Sequence, residues 1–110
     1  MIKEELAEYL LKHHHGTDKA IISKELESIL SISGKELRKM INTLRCEGIP
    51  IASDQSGYYY AKEESEIEIT IQHMRNRIIG ISFAIAGLKR ALIAFDDRQL
   101  NLLLGGGDDY

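Results

Sequence analysis

The amino-acid sequence predicts a mainly α-helical fold with a small β-hairpin, followed by one long helix of the coiled-coil type. Three observations predict it. Through the first 47 residues, apolar side chains recur every three or four positions, which is the spacing of helices that bury one face. Two short extended segments flank a polar turn between residues 49 and 61, as in a hairpin. From Ile67 to Phe95 the apolar spacing alternates between four and three without a break, as in a coiled-coil seam.

Two short helices with a strand between them are predicted in the first 30 residues. Residues 2–14 have helical apolar spacing, and Gly16 follows as a C-terminal stop. Residues 20–22 are apolar and predict a single very short strand. Ser23 is the predicted N-cap of the second helix, because a serine oxygen can accept a hydrogen bond from a free amide of the first turn.

A capping signal opens a third helix over residues 34–47. Ser33 followed by Glu36 is the capping-box pair, in which the serine oxygen accepts the N3 amide and the glutamate reaches back to the N-cap amide. Gly48 ends the helix. The apolar face consists of Leu37, Met40, Ile41 and Leu44, and the opposite, polar face consists of Lys35, Arg38, Lys39, Asn42 and Arg45.

A hairpin follows the third helix. Its first strand begins at residues 49–51, and its second strand covers residues 58–61 beyond a polar turn. Tyr58 and Tyr60 share one strand face and are expected in the hairpin core, whereas Tyr59 points the other way. Tyr59 is therefore the tyrosine that we expect to contact a partner.

One long helix is predicted from about Glu64 to Phe95, with a length of about 48 Å at 1.5 Å per residue. A single chain has too little remaining material to cover such a helix, so we predict self-association as a homodimer. A higher oligomer and a helix that folds back onto its own domain are the alternatives. The predicted interface residues are Ile71, Met74, Ile78, Ile81, Ile85, Leu88, Leu92 and Phe95.

Charge and composition narrow the possible partners and locations. Residues 1–62 hold nine Lys or Arg against nine Asp or Glu, and residues 63–110 hold five against eight, which gives the net charge of −3. Residues 34–46 have a local charge of +3, from four basic residues and one acidic residue. The longest uncharged stretch, residues 78–88, has eleven residues, whereas a membrane helix needs about 20. The single cysteine fits a reducing compartment. We therefore predict a cytoplasmic protein with no membrane contact.

The sequence predicts no catalytic, metal or cofactor site. Three consecutive histidines, His13 to His15, cannot all point at one ion from a regular helix. Cys46 has no visible arrangement with a histidine and an Asn or Asp, as a catalytic cysteine requires. The glycines at residues 105–107 lack the following lysine and serine or threonine of a phosphate loop. We therefore predict a protein that is not an enzyme.

The order of the elements agrees with a known family. The residues in question are Ser23-Lys24-Glu25-Leu26, Leu30-Ser31-Ile32-Ser33-Gly34, Leu37 with Ile41 and Leu44, Glu47-Gly48-Ile49-Pro50-Ile51 and Gly57-Tyr58-Tyr59-Tyr60. Together they resemble the winged helix-turn-helix of the biotin-repressor type, and the whole chain is similar to small phage and prophage proteins. On this resemblance, residues 1–62 form the winged domain. The apolar spacing and the glycine-rich end of the chain predict a self-association helix over residues 63–104 and a flexible tail over residues 105–110.

The resemblance implies a sequence-specific DNA-binding protein, a transcriptional regulator, with the helix over residues 34–47 in the major groove of double-stranded DNA. Arg38 can pair with guanine and Asn42 with adenine, while the other basic residues bind phosphates. The predicted DNA-binding residues are Ser33, Lys35, Arg38, Lys39, Asn42, Thr43, Arg45, Gln55, Ser56 and Tyr59.

The alternative function is a winged helix that binds another protein, for instance a phage-encoded inhibitor or adaptor of a host nucleic-acid enzyme. The wing favours it, because its tip has Asp54 and no arginine for the minor groove. The positions of Glu25, Glu27 and Glu36 distinguish the two functions. If these carboxylates crowd the groove-facing surface, they repel DNA and favour a protein partner.

Overall fold

The computed structural model describes residues 1–103, and the predicted tail at residues 105–110 lies outside the described residues. The fold is mainly helical, with one two-stranded antiparallel sheet and a long C-terminal helix, as the sequence predicts. The elements are α1 (Lys3–His13), a short 3₁₀ turn (Thr17–Lys19), α2 (Ser23–Leu30), α3 (Gly34–Cys46), β1 (Ile51–Asp54), β2 (Gly57–Tyr60) and α4 (Glu64–Leu103).

The first three helices enclose the main hydrophobic core. Each contributes the residues that its apolar period places on one face, and burying each such side chain stabilises the fold by about 1.5–3 kcal/mol. The core side chains are Leu6 and Leu10 from α1, Leu26 from α2, and Leu37, Ile41 and Leu44 from α3, together with Ile21 and Ile51. Because Leu37, Ile41 and Leu44 face inward, the opposite face of α3 is directed outward.

The two strands pair with a register of Ile51 opposite Tyr60 and Asp54 opposite Gly57. The predicted strand at residues 20–22 is reduced to one bridging residue, Ile21, which exchanges two backbone hydrogen bonds with Tyr58 at 2.9 and 2.8 Å. The segment is short because an unpredicted 3₁₀ turn precedes it and α2 begins at Ser23, so that only Ile21 pairs with β2.

The starts of α2 and α3 differ in how they are capped. The prediction that Ser23 caps α2 is wrong, because Ile22 is the N-cap and Ser23 is the first helical residue. The Ser23 hydroxyl instead donates to Glu27 Oε2 at 2.8 Å. The serine half of the predicted capping box of α3 is present, since the Ser33 hydroxyl accepts a hydrogen bond from the Glu36 amide at 3.1 Å, but among the described residues the return bond from the Ser33 amide to Glu36 is not formed.

The start of α4 is held by Glu66. Its Oε1 accepts hydrogen bonds from the amides of Lys62 at 2.6 Å and Glu63 at 2.9 Å, and its Oε2 accepts one from the Thr17 amide at 3.0 Å. One turn later the Thr70 hydroxyl accepts a hydrogen bond from the Ser53 amide at 3.2 Å. The first turns of α4 therefore pack against the hairpin.

The far end of α4 extends beyond the predicted end at Phe95, to Leu103. The apolar seam stops before Asp96, but the sequence has no glycine or proline there to end the backbone helix. The chain divides into two compact units at residues 73 and 74, which lies within α4.

Candidate functional site

The outward face of α3 is the candidate site. Lys35, Arg38, Lys39 and Asn42 are all exposed. No hydrogen bond or ion pair to another described residue engages any of these four side chains. They lie on one side of the helix because they are three or four positions apart, opposite the residues that enter the core. The arrangement offers three cationic groups and one amide to a ligand.

Two of the predicted site residues near this face already use their hydroxyl groups in hydrogen bonds within the chain. Ser33 is exposed, and its hydroxyl oxygen is used as the cap of α3. Thr43 is half-buried, and its hydroxyl donates to the Lys39 carbonyl at 3.0 Å. Both residues lie at the face, but their hydroxyl groups also serve the helix.

Arg45 does not belong to the outward face. Its Nε donates to the Ile51 carbonyl at 2.7 Å, and its Nη2 donates to the Ser53 hydroxyl at 3.0 Å. The guanidinium carbon also lies 6.0 Å from the centre of the Tyr58 ring. The guanidinium therefore links α3 to β1, and Arg45 is removed from the candidate interface as a phosphate contact.

Tyr59 is also removed from the interface, because it is only 2% exposed. It lies in a second small core with Ala52 and Ala61, against which Ile67 of α4 packs. Burial raises the pKa of its phenol. The prediction that Tyr59 is a surface contact overlooked that α4 covers the second face of the hairpin. Tyr58 and Tyr60 pack against the main core, as expected.

The two turn residues at the tip of the hairpin are exposed and uncharged. Gln55 and Ser56 form the turn, and the Ser56 amide donates to Asp54 Oδ1 at 2.7 Å. Asp54 Oδ2 accepts a hydrogen bond from the Thr17 hydroxyl at 2.7 Å. The Asp54 carboxylate is thereby fixed beside the turn, and the tip brings no cation to a phosphate.

One acidic residue lies beside the candidate site. Both Glu27 Oε2 and Arg38 Nη1 approach the point where Gly34 would have a Cβ, at 3.1 and 3.2 Å respectively. The Glu27 carboxylate of α2 and the Arg38 guanidinium of α3 therefore both lie beside Gly34, without forming an ion pair with each other. Glu25 and Glu36 are exposed. Sequence spacing alone could not place Glu27 here, because the approach depends on how α2 crosses α3.

The predicted self-association residues of α4 are mostly exposed in the single chain. Ile71, Ile78, Ile81, Ile85, Leu88, Leu92 and Phe95 are all exposed, and Met74 is half-buried. The exposed fraction reaches 71% at Leu88. Exposure of a row of large apolar side chains to water is unfavourable in free energy. An exposed apolar face of this kind is typical of an interaction surface.

The same helix is long and apolar enough to cross a membrane by length and composition alone. Its segment Glu64–Arg98 has a mean hydropathy of 1.8 over 18 residues, none of it buried. A core helix of a soluble protein passes the same test. The expectation of no membrane span rested on the uncharged stretch of eleven residues, whereas α4 stays apolar on average over 18 residues even though these include charged side chains.

The three consecutive histidines contact aromatic rings and the backbone, and His13 and His14 both lie beside Tyr9. The His13 ring lies 4.7 Å from the Tyr9 ring, and the His15 ring lies edge-on to Tyr60 at 6.0 Å. His14 Nδ1 lies 2.8 Å from the Lys19 carbonyl oxygen. Within the described part of the chain, no group of three or more His, Cys, Asp or Glu residues could hold a metal ion.

Comparisons with protein-family models, with curated proteins and with solved structures find no match to this chain.

Proposed function

We propose that the chain is a winged helix-turn-helix protein that binds double-stranded DNA as a cytoplasmic homodimer, with α3 in the major groove. The observation that supports this most is the outward face of α3, where four polar side chains are exposed. A recognition helix needs an apolar face held by its own domain and a polar face that reaches bases and phosphates. The order of the elements around α3 agrees with that use.

Each polar side chain of this face has a suitable role. Arg38 and Asn42 are four residues apart and can each make a bidentate pair with a base edge, worth about 1–3 kcal/mol of discrimination. Lys35 and Lys39 lie beside them and neutralise phosphates, which adds affinity that depends on salt. The exposed hydroxyl of Ser33 and the turn residues Gln55 and Ser56 complete the proposed contacts.

The seam of α4 would bring two such faces together. The seam residues from Ile71 to Phe95 repeat with the coiled-coil period, and all of them except the half-buried Met74 are exposed. A dimer places two recognition helices on one duplex, so that two modest interfaces act together. Half-sites about 34 Å apart are the natural spacing for such a dimer.

A protein partner suits α4 better than a lipid bilayer. Lys89 and Arg90 lie inside the apolar stretch at residues 78–95, and a central Lys and Arg together cost about 5–7 kcal/mol on the insertion scale. The nine large apolar residues of that stretch recover only about 3–5 kcal/mol on the same scale. The balance is unfavourable for a membrane span.

The experiment is electrophoretic mobility of random duplex DNA at low and moderate salt, followed by selection of a preferred site. We expect retardation that weakens with salt, and a palindromic selected site. The double variant Arg38→Ala, Asn42→Ala should lose the preference for the selected site. Lys12→Ala, which removes an exposed cation from α1, is the control and should bind as the parent does. Equal binding by the double variant and the parent would refute the proposal.

A second function has one specific observation in its favour. The Glu27 carboxylate lies beside Arg38, where it would repel a nearby phosphate or base oxygen. A partner protein with basic residues on its surface would not be repelled by the Glu27 carboxylate. Absence of retardation at low salt, where non-specific binding is strongest, would therefore support the winged helix as a protein-binding module.

A further inference from the structure

The strand β1 is bonded to two different helices at one residue, Ser53. Arg45, at the C-terminal end of α3, donates from Nη2 to the Ser53 hydroxyl at 3.0 Å and from Nε to the Ile51 carbonyl at 2.7 Å. The backbone amide of Ser53 donates to the Thr70 hydroxyl of α4 at 3.2 Å. Ser53 therefore joins the end of α3 to the start of α4.

The Thr70 hydroxyl is buried between α4 and β1. Among the described residues, no other serine, threonine or charged side chain is buried. The hydroxyl donates to the Glu66 carbonyl at 2.9 Å within α4 and accepts the hydrogen bond from the Ser53 amide. A buried polar group without a partner is destabilising, so this pair of hydrogen bonds resists any displacement of the start of α4 from β1.

The start of α4 is also held by apolar contacts, and it continues directly into the proposed seam. Ile67 packs against the second core, which includes Tyr59 of β2. Ile71, the first of the predicted seam residues, follows Thr70 in the same helix. The residue that is bonded to β1 is therefore the neighbour of the residue at which the association of two chains would begin.

We propose that Arg45 and Thr70 are positioning residues, which hold α3 and the start of α4 at one fixed separation through Ser53 and thereby set the half-site spacing that the dimer recognises. The consequence for spacing rests on the proposed function, whereas the fixed separation does not. Half-site spacing is a geometric property of the protein. A dimer with α3 free to move against its seam would accept several spacings, and a dimer with α3 fixed accepts one.

The first test measures the separation within one full-length chain and needs no DNA. Spin labels are attached at Glu36→Cys in α3 and His73→Cys in α4 of a Cys46→Ser chain, which is diluted with unlabelled protein to suppress distances between chains. Both labelled positions are exposed and lie in the compact unit over residues 1–73. Double electron–electron resonance should give one narrow distance distribution. Thr70→Val and Arg45→Met should each widen it about twofold, because either change frees one end of the junction at β1.

Two further variants make this result specific. Thr70→Ser keeps the hydroxyl and should restore the narrow distribution. Thr17→Val is the matched control, because it removes a threonine hydroxyl that is bonded to the hairpin at Asp54 and not at Ser53, and it should leave the distribution narrow. Circular dichroism should show unchanged helix content throughout. A distribution that stays narrow in either Thr70→Val or Arg45→Met, or one that widens equally in Thr17→Val, would overturn the inference.

The second test is the spacing preference on DNA, by fluorescence anisotropy. The parent should bind a duplex with half-sites about 34 Å apart about tenfold more tightly than one whose half-sites are shifted by about five base pairs, which is half a helical turn. Thr70→Val and Arg45→Met should bind the two duplexes within about threefold of each other and a single half-site as the parent does. An unchanged preference in both variants would overturn the inference. A parent that binds no DNA, with a distance distribution that still widens in both variants, would support the fixed separation and refute the proposed function.

Discussion

At the scale of single residues, the hairpin depends on a glycine that lies against the chain's own backbone. The φ angle of Gly57 is +124°, and a Cβ at this position would lie 2.0 Å from the Ile21 carbonyl oxygen. The bridge between Ile21 and Tyr58 forms at this point, so a side chain at residue 57 would force the bridge apart. This bridge is one of the contacts that join the hairpin to the main core, beside the packing of Ile51, Tyr58 and Tyr60.

We expect Gly57→Ala to lower the free energy of unfolding by at least about 2 kcal/mol, because backbone strain and a steric clash add. Gly48→Ala is the control, since Gly48 also has a positive φ, of +86°, but open space around it. That variant should lose only about 1 kcal/mol, from backbone strain alone. Urea unfolding of both variants measures the difference, and equal losses would contradict the close approach.

Glu66 makes the fold sensitive to acid. Hydrogen bonds from the backbone of Glu63 first, and then of Lys62 and Thr17, hold the pKa of its carboxyl below the ordinary value of 4.5. A carboxyl whose pKa is lower in the folded state than in the unfolded state stabilises the fold at pH values above the unfolded-state pKa. This contribution is lost as the pH falls through the folded-state pKa. The ionised carboxylate is therefore the form that holds the start of α4.

We expect Glu66→Gln to be less stable than the parent at pH 6, by about 0.5–2 kcal/mol as for the loss of a helix cap. The difference should shrink at pH 3, because the parent's carboxyl is then losing its charge. Urea unfolding at both pH values measures it. Glu64→Gln removes a charge from an exposed position of the same turn and serves as the control. A parent and a Glu66→Gln variant that lose stability equally between pH 6 and pH 3 would contradict this role.

At the scale of elements, α3 has two faces with different partners. One face is fixed in the core, and Arg45 at its C-terminal end is bound to β1 through the Ile51 carbonyl and the Ser53 hydroxyl. The other face, from Lys35 to Asn42, is exposed. The neighbouring α2 places Glu27 beside Arg38, which reduces the positive potential where DNA would bind.

We therefore expect Glu27→Gln to strengthen binding to duplex DNA several-fold at low salt, because a carboxylate near the proposed phosphate and base contacts is removed. The control is Glu25→Gln, which removes an exposed carboxylate from the same helix. Fluorescence anisotropy with a labelled duplex measures both. Weaker binding by Glu27→Gln would instead show that the carboxylate helps to orient Arg38.

The elements themselves were predictable from local patterns in the sequence. The apolar periods of α1, α3 and α4, the cap at Ser33 and the polar turn of the hairpin all depend on residues close together in the chain. The placement of Arg45 and Tyr59 was not predictable in this way. Both are determined by packing between distant segments, since β1 provides the acceptors for Arg45 and α4 covers Tyr59.

At the scale of the whole molecule, the chain has a compact unit over residues 1–73 and a helix that continues from Met74 with its apolar side chains exposed. The first unit offers the outward face of α3, and the helix offers the seam through which two copies would associate. Neither part alone accounts for the proposed binding of a dimer to DNA. In the proposed function, the seam of α4 pairs two α3 faces on one duplex.

Hydroxyl-radical footprinting of the full chain on its selected duplex tests this claim most directly. Two protected patches should appear one helical turn, or about 34 Å, apart. Both should disappear together in the double variant Arg38→Ala, Asn42→Ala and in the seam variant Ile81→Gln, Ile85→Gln, Leu88→Gln. A footprint that persists in both variants, or no protection at any salt concentration, would contradict the account.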